Sequence, residues 1–236
     1  MRLRAHPDSH FTEHSTMRFS TITTLFTAAA LVAAPAVAEA QFTVYTTFAD
    51  FLSATSNVGT DSFDDLDAYG SYAGPLTRQA GTHNYTVSTN LPGFYIPDNA
   101  GDRWLSTNDF AHAITFSGFG SSVRGIGGYF FGTDVDGAPY QLTGLVLTAT
   151  GKSGASYQTI VDGSMSFFGV VADEEILSFT VAAQEQLNAN GPFMWPTAND
   201  VVIGNAATVV PEPSSFVLML VGAAGLAFVV QRRRTT

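Results

Sequence analysis

From residue 41 to residue 208, apolar side chains recur in short runs, spaced by two positions more often than by three or four. Within 141–150, Leu142, Gly144, Val146 and Thr148 share one face and Leu145 and Leu147 the other. Such alternation predicts a strand, because successive side chains of an extended backbone point to opposite sides. Comparable runs lie at 41–45, 61–66, 85–89, 93–96, 103–106, 113–117, 125–131, 156–161, 164–171, 177–181 and 200–203. Turn formers separate them: 135–137 (Val-Asp-Gly) and 151–154 (Gly-Lys-Ser-Gly) predict tight turns, and 173–175 (Asp-Glu-Glu) a charged hairpin tip. One segment departs from this pattern. Phe48, Phe51 and Leu52 fall at i, i+3 and i+4, which predicts a short amphipathic helix with Thr47 as its cap. Many short strands and one short N-terminal helix predict an all-β sandwich.

The two ends of the chain read differently. Arg18 precedes an apolar stretch from Ile22 to Val37, and Ala38-Glu39-Ala40 supplies small residues around a cleavage point, so residues 1–40 predict a secretory signal peptide with Ala38 and Ala40 at the cut. Met17 is an alternative start, and His6, His10 and His14 upstream of it are given no metal role. At the other end, Phe216 to Val230 carries no charge and is apolar on every face. With its flanks it predicts a single transmembrane helix over 214–231, short for a hydrocarbon core of about 30 Å but tolerable where the bilayer thins. Arg232, Arg233 and Arg234 end it, and the positive-inside rule puts them in the cytoplasm and the preceding domain outside.

Val210-Pro211-Glu212-Pro213-Ser214, the apolar segment and the basic terminus together closely resemble the PEP-CTERM sorting tail, which also goes by the name ice-binding protein C-terminal domain. The resemblance covers 209–236. It implies recognition and removal by an exosortase of a Gram-negative bacterium, with Pro211, Glu212 and Pro213 as the recognition residues. A weaker resemblance spans the middle of the chain: TTFADFLSATSN, DSFDDL, AITFSGFGSSVRGIGGYFF, SFFGVVADEEILSFTV and NDVVIG, in that order, look like the exported sandwich domains commonly found ahead of such tails. Those domains are similar to jelly-roll carbohydrate-binding modules, so the expected fold of 41–208 is a jelly-roll-like β-sandwich.

Composition narrows the chemistry. The whole chain has a formal charge of −10 and no cysteine. Between residues 41 and 208 four cations (Arg78, Arg103, Arg124, Lys152) face sixteen carboxylates. That surface disfavours nucleic acid, because the phosphate term would be repulsive. Without cysteine there are no disulfides, zinc–thiolate sites or thiol nucleophiles, and stability must come from a hydrophobic core. Only His83 and His112 lie in the domain, at no metal-type spacing, and no nucleophile elbow or Walker loop is present. The expectation is a protein that is not an enzyme.

Two chemistries stay open. Asp61, Asp64, Asp65 and Asp67 come early and Asp200 late, and the first and last strands of a jelly roll are commonly neighbours. Asp64, Asp65 and Asp200 are therefore candidate ligands of a structural Ca²⁺, which takes six to eight oxygens; a solvated acidic edge is the alternative. The loop at 134–137 lacks the ligands an EF-hand needs at Gly132 and Thr143 and reads as a turn. Tyr69, Tyr72, Phe94, Tyr95, Trp104, Phe193 and Trp195 are the aromatic candidates for stacking on sugar rings, whereas Phe116, Phe130, Phe167 and Phe168 read as core. The expected function is that of an exported, exosortase-sorted surface or extracellular-matrix protein. It would be held first in the inner membrane and bind extracellular polysaccharide. A purely structural surface protein and a secreted hydrolase are the alternatives.

Overall fold

The structure is a computed structural model that describes residues 40–90, 93–184 and 192–207. In chain order the elements are β1 (Phe42–Tyr45), α1 (Phe48–Ser53), β2 (Thr55–Asp61), β3 (Ser71–Tyr72), β4 (Leu76–Ala80) and β5 (His83–Ser88). Short pieces follow: β6 (Phe94–Tyr95), β7 (Asp98–Asn99), β8 (Asp102–Arg103), β9 (Leu105–Thr107) and β10 (Ile114–Ser117). The longer strands come last: β11 (Gly125–Thr133), β12 (Leu145–Gly151), β13 (Ser156–Val161), β14 (Ser166–Ala172), β15 (Ile176–Ala183) and β16 (Trp195–Ala206). The expected all-β sandwich with one short helix is what forms.

One sheet has eight strands in the order β1-β14-β11-β16-β9-β6-β3, with β2 also paired to β16, and the other has six in the order β13-β12-β15-β10-β5-β4. The inner faces meet in a core that includes Phe116, Phe130, Phe168, Phe179, Leu145, Leu147, Val170 and Ile203. Across it Phe130 and Phe179, from opposite sheets, lie 5.0 Å apart between ring centroids. The two sheets differ on their outer faces. β12 alternates buried and half-buried positions, as a strand with one wet face does, and β13 at the sheet edge alternates exposed and half-buried ones. β11 is buried at eight of its nine positions and β16 at eight of its twelve, in runs without alternation, so the larger sheet is covered on its outer side too.

Helix α1 supplies part of that cover. Thr47 accepts the Asp50 amide at 3.2 Å and so caps the first turn, as expected from the sequence. The helix drops Phe51 onto a second, smaller apolar cluster with Phe167, Val171 and Val202. Gly169 makes the floor, since a Cβ there would stand 2.5 Å from Cδ2 of Phe51. Phe167 and Phe168 are both core residues as expected, but they belong to clusters on opposite faces of β14.

Several local expectations are corrected. The run 61–66 is not a strand: β2 ends at Asp61, whose carboxylate accepts the Phe63 amide at 3.1 Å and turns the chain. The polar stretch before it is the strand instead, because β16 supplies its backbone partners, with Val201 opposite Asp61 and Val202 opposite Thr60. Residues 141–144 precede β12 instead of belonging to it. Asp173, Glu174 and Glu175 do not form a hairpin tip; β14 and β15 lie in different sheets and the acidic segment carries the chain between them. Among the described residues no helix is long and apolar enough to cross a membrane. Ala38 of the expected signal peptide and the expected span 214–231 lie outside the described residues; Ala40 is the first residue described.

Candidate functional site

Beyond the reach of α1, the outer face of the larger sheet holds a cleft of about 300 Å³ lined by Tyr95, Ser106, Thr107, Asn108, Thr133, Asp134, Val135, Gly137 and Trp195. Strand register builds it. Tyr95 stands opposite Ser106, Ser106 opposite Thr197, and Thr197 opposite Phe131, while Trp195 pairs with Thr133. Its polar floor is formed by Ser106 and Thr133, backed by the buried hydroxyl of Thr197. Thr133 Oγ1 and Thr197 Oγ1 are 3.0 Å apart, and Thr197 Oγ1 donates to Ser106 Oγ at 2.9 Å. Thr107 is 2 % exposed, and its Oγ1 has no hydrogen-bond partner. Thr107 stands opposite Phe94 of the inner core, so its side chain points to the other face of the sheet and the cleft meets only its backbone side.

The aromatic side of the cleft is braced from behind. Trp195 meets Phe110 edge-on at 5.9 Å and Phe193 edge-on at 6.4 Å, while Phe110 and Phe193 stack at 3.8 Å. The turn 134–138 forms the roof. Asp134 Oδ1 accepts the amides of Asp136 (3.0 Å) and Ala138 (2.9 Å), the arrangement of an Asx turn, so this segment is the turn its sequence predicts. Gly137 has φ +85° and lies so close to Pro97 that a Cβ would come within 2.6 Å of the proline ring, which seats the turn against the sheet. The Tyr95 phenol is pushed above its ordinary value by burial first, then by Tyr69 and by the Asp136 carboxylate, so the roof's charge is felt at the aromatic wall.

Of the aromatic candidates, Tyr95 and Trp195 line this cleft and Phe193 buttresses it. Tyr69 is 61 % exposed, away from the lining. Tyr72 packs against the core and donates its hydroxyl to Asp67. Phe94 (0 % exposed) and Trp104 (1 %) are not surface residues: the first joins the inner core, and the second meets Phe131 edge-on at 5.4 Å beneath the outer surface. Sequence reasoning missed the floor. Ser106, Thr133 and Thr197 lie on three strands scattered over about 90 residues, and in one dimension they are indistinguishable from ordinary strand-surface hydroxyls.

The acidic cluster is divided among several partners. Arg78 donates Nε–H and Nη2–H to Asp61 at 2.9 and 2.6 Å, and Nη1–H and Nη2–H to Asp65 at 2.9 and 2.6 Å. Tyr85 donates its hydroxyl to Asp61 at 2.7 Å. Arg78 and Tyr85 come from the smaller sheet and Asp61 from the larger, so the network pins the two sheets together at one end. Burial opposes the Arg78 charge, but the bonds to Asp65 and Asp61 outweigh it and hold the guanidinium more firmly protonated than usual. The Tyr85 phenol is pushed up by burial and then by Asp61. The Asp65 carboxyl is held below its ordinary range chiefly by its hydrogen bonds from Arg78.

The three candidate calcium ligands do not come together as one set. Asp65 faces Arg78, whereas Asp64 accepts the Arg103 amide at 2.9 Å. Asp200 sits at φ +46° with its carboxyl raised above the usual range by burial, then by Asp102 and Asp64. Asp64 and Asp200 are thus within each other's field, and Asp102, which receives Asn199 Nδ2–H at 2.9 Å, completes the group. Among the described residues no three His, Asp or Glu side chains are grouped so that they could hold a metal ion. Pro211, Glu212, Pro213, Arg232, Arg233 and Arg234 lie outside the described residues.

Residues 209–234 match the family model of the PEP-CTERM protein-sorting motif. The chain carries a PEP-CTERM sorting tail. The motif implies processing by an exosortase and sorting to the cell surface or the extracellular space. No curated protein and no solved structure matches the chain. The PEP-CTERM tail and the cleft are separate features of the chain, one outside the described domain and one built into its larger sheet.

Proposed function

We propose that this chain is a non-enzymatic surface or extracellular-matrix protein that binds polysaccharide in the Tyr95–Trp195 cleft after exosortase sorting. The observation that carries the reading is the pairing of two aromatic side chains, Tyr95 and Trp195, with the neutral hydroxyls of Ser106 and Thr133 in one cleft on the outer sheet face. Sugar rings present an apolar C–H face and a rim of hydroxyls. A site with an aromatic wall, a hydroxyl floor and an amide such as Asn108 complements both. The sandwich supports a jelly-roll-like reading. From β10 onward every connection except the β12–β13 hairpin passes from one sheet to the other, and β2 pairs with the last strand.

The lining also supports binding over hydrolysis. Among the described residues Asp134 is the one carboxylate in it, whereas glycosidases place two carboxyl groups about the scissile bond. His83 and His112 are outside the lining: His83 bonds to the Asn57 backbone and His112 faces Asp109 at 3.8 Å. Before sorting, residues 1–40 would direct export and 214–231 would hold the chain in the inner membrane until cleavage near Pro211.

The test uses the full-length chain in detergent, passed over immobilised glucan and glucosamine polymers. Retention that Trp195→Ala reduces at least about tenfold supports the reading. Equal retention of both proteins, or none of either, overturns it in favour of a purely structural surface role. Calcium depletion is expected to leave retention unchanged, since Asp65 is committed to Arg78 and the cleft lining has a single carboxylate.

A further inference from the structure

Charge around the cleft is lopsided. Among the described residues no cation appears in its lining, and Asp134 does. Asp134 Oδ1 is engaged by two backbone amides of the roof, but the side chain keeps its charge beside the opening, and Asp136 sits exposed two residues further on the same roof. The Asp136 carboxylate reaches the Tyr95 phenol electrostatically, which puts a second negative charge against the aromatic wall. The four cations of the domain are spent or placed elsewhere. Arg78 is held between Asp61 and Asp65, Arg103 by Asp98 and the carbonyls of Asp64 and Leu66, Lys152 by Glu175, and Arg124 belongs to the start of the β11 region.

Resting on the saccharide reading above, we propose that this cleft selects sugar units without negative charge, neutral or aminated, and rejects uronate and sulfated glycans. Three features act together. The floor hydroxyls of Ser106 and Thr133, backed by Thr197, are neutral donors and acceptors that suit sugar hydroxyls and have no charge to offer a carboxylate. The roof carboxylates would stand close to an acidic group on a bound ring, and like charges juxtaposed at an interface weaken binding strongly. The domain as a whole adds to this, with sixteen carboxylates against four cations. A cleft of about 300 Å³ is at the small end of ligand sites, so the rejected charge could not sit far from the roof.

The experiment measures binding of the full-length chain in detergent to three oligosaccharides of matched length: a glucan, a glucosamine oligomer and a galacturonate oligomer. The expected result is that the first two bind at least about tenfold more tightly than the third, and that added salt narrows the gap because the roof is exposed. In a D134N/D136N variant the discrimination is expected to fall at least about threefold, with asparagine at position 134 keeping the Asx turn. Galacturonate binding as tight as glucan binding overturns this proposal and leaves the saccharide reading standing. Failure of all three to bind overturns both. Unchanged discrimination in the double variant, with a melting temperature equal to that of the parent, overturns the assignment of selectivity to the roof.

Discussion

Two polar clusters in this domain show opposite uses of the same groups. At one end Asp61, Arg78, Asp65 and Tyr85 form a network in which Arg78 binds both carboxylates and Asp61 also accepts the Tyr85 hydroxyl. On the outer face of the larger sheet, the neutral hydroxyls of Ser106, Thr133 and Thr197 bond to one another beside an open cleft walled by Tyr95 and Trp195. Charge pairing makes the first cluster a fastener between sheets. Neutral hydroxyls combined with aromatic walls suit the second to a polar guest. Acidic residues drew attention in the sequence, yet the neutral hydroxyls build the better site.

Breaking the fastener should have the largest effect. Arg78→Met leaves the Asp61 carboxylate buried without its cation, and loss of one partner of a buried pair costs about 3–5 kcal/mol. For a domain of this size that lowers the melting temperature on the order of 10 °C, measurable by calorimetry. A drop of only a degree or two would show that water replaces the arginine and that the network is not a buried fastener.

Trp195→Ala probes the other cluster and should separate binding from stability. Saccharide affinity is expected to fall at least tenfold, about 1.4 kcal/mol, with a melting temperature lowered far less than by Arg78→Met. Trp195 is half-buried and braced by Phe110 and Phe193, so some loss of stability accompanies the truncation. Should melting fall as far as for Arg78→Met, the tryptophan would be a core residue and the contrast between the clusters would dissolve. Thr197→Val is the finer cut. It removes the donor to Ser106 and is expected to cost about 1 kcal/mol by thermal melting. A neutral effect would mean that the hydroxyl cluster is not the cooperative floor described.

The smallest effects concern pH, and their signs differ between two aspartates. Asp65 titrates lower in the folded chain than in the unfolded one, so its contribution is present at neutral pH and is lost as pH falls through its folded value. Asp65→Asn should therefore melt slightly below the parent at pH 7, with the gap closing in acid. Asp200 titrates higher when folded, so its charge destabilises the fold as pH rises through that value. Asp200→Asn should melt slightly above the parent at pH 7, and asparagine also tolerates the left-handed backbone there. Here too the gap closes in acid. Melting curves at several pH values would show both; two gaps of the same sign would refute the assignment.

Period-two alternation was enough to expect a sandwich, and Phe48, Phe51 and Leu52 after a capping threonine were enough to expect α1, because both signals are local to a few residues. The sorting tail was equally legible, since a proline–glutamate–proline motif, an apolar run and an arginine cluster are contiguous in the chain. What the tertiary structure decided is pairing at long range. The polar stretch 55–60 became a strand only because β16 offered its backbone, and the candidate calcium ligands parted because Arg78, from another sheet, claimed Asp65. Trp104 moved inside while Trp195 stayed at the cleft, although the two look alike as sequence. Strand register, which sets which face a residue occupies and which distant hydroxyls become neighbours, depends on backbone partners scores of residues away, and no local pattern of side chains encodes it.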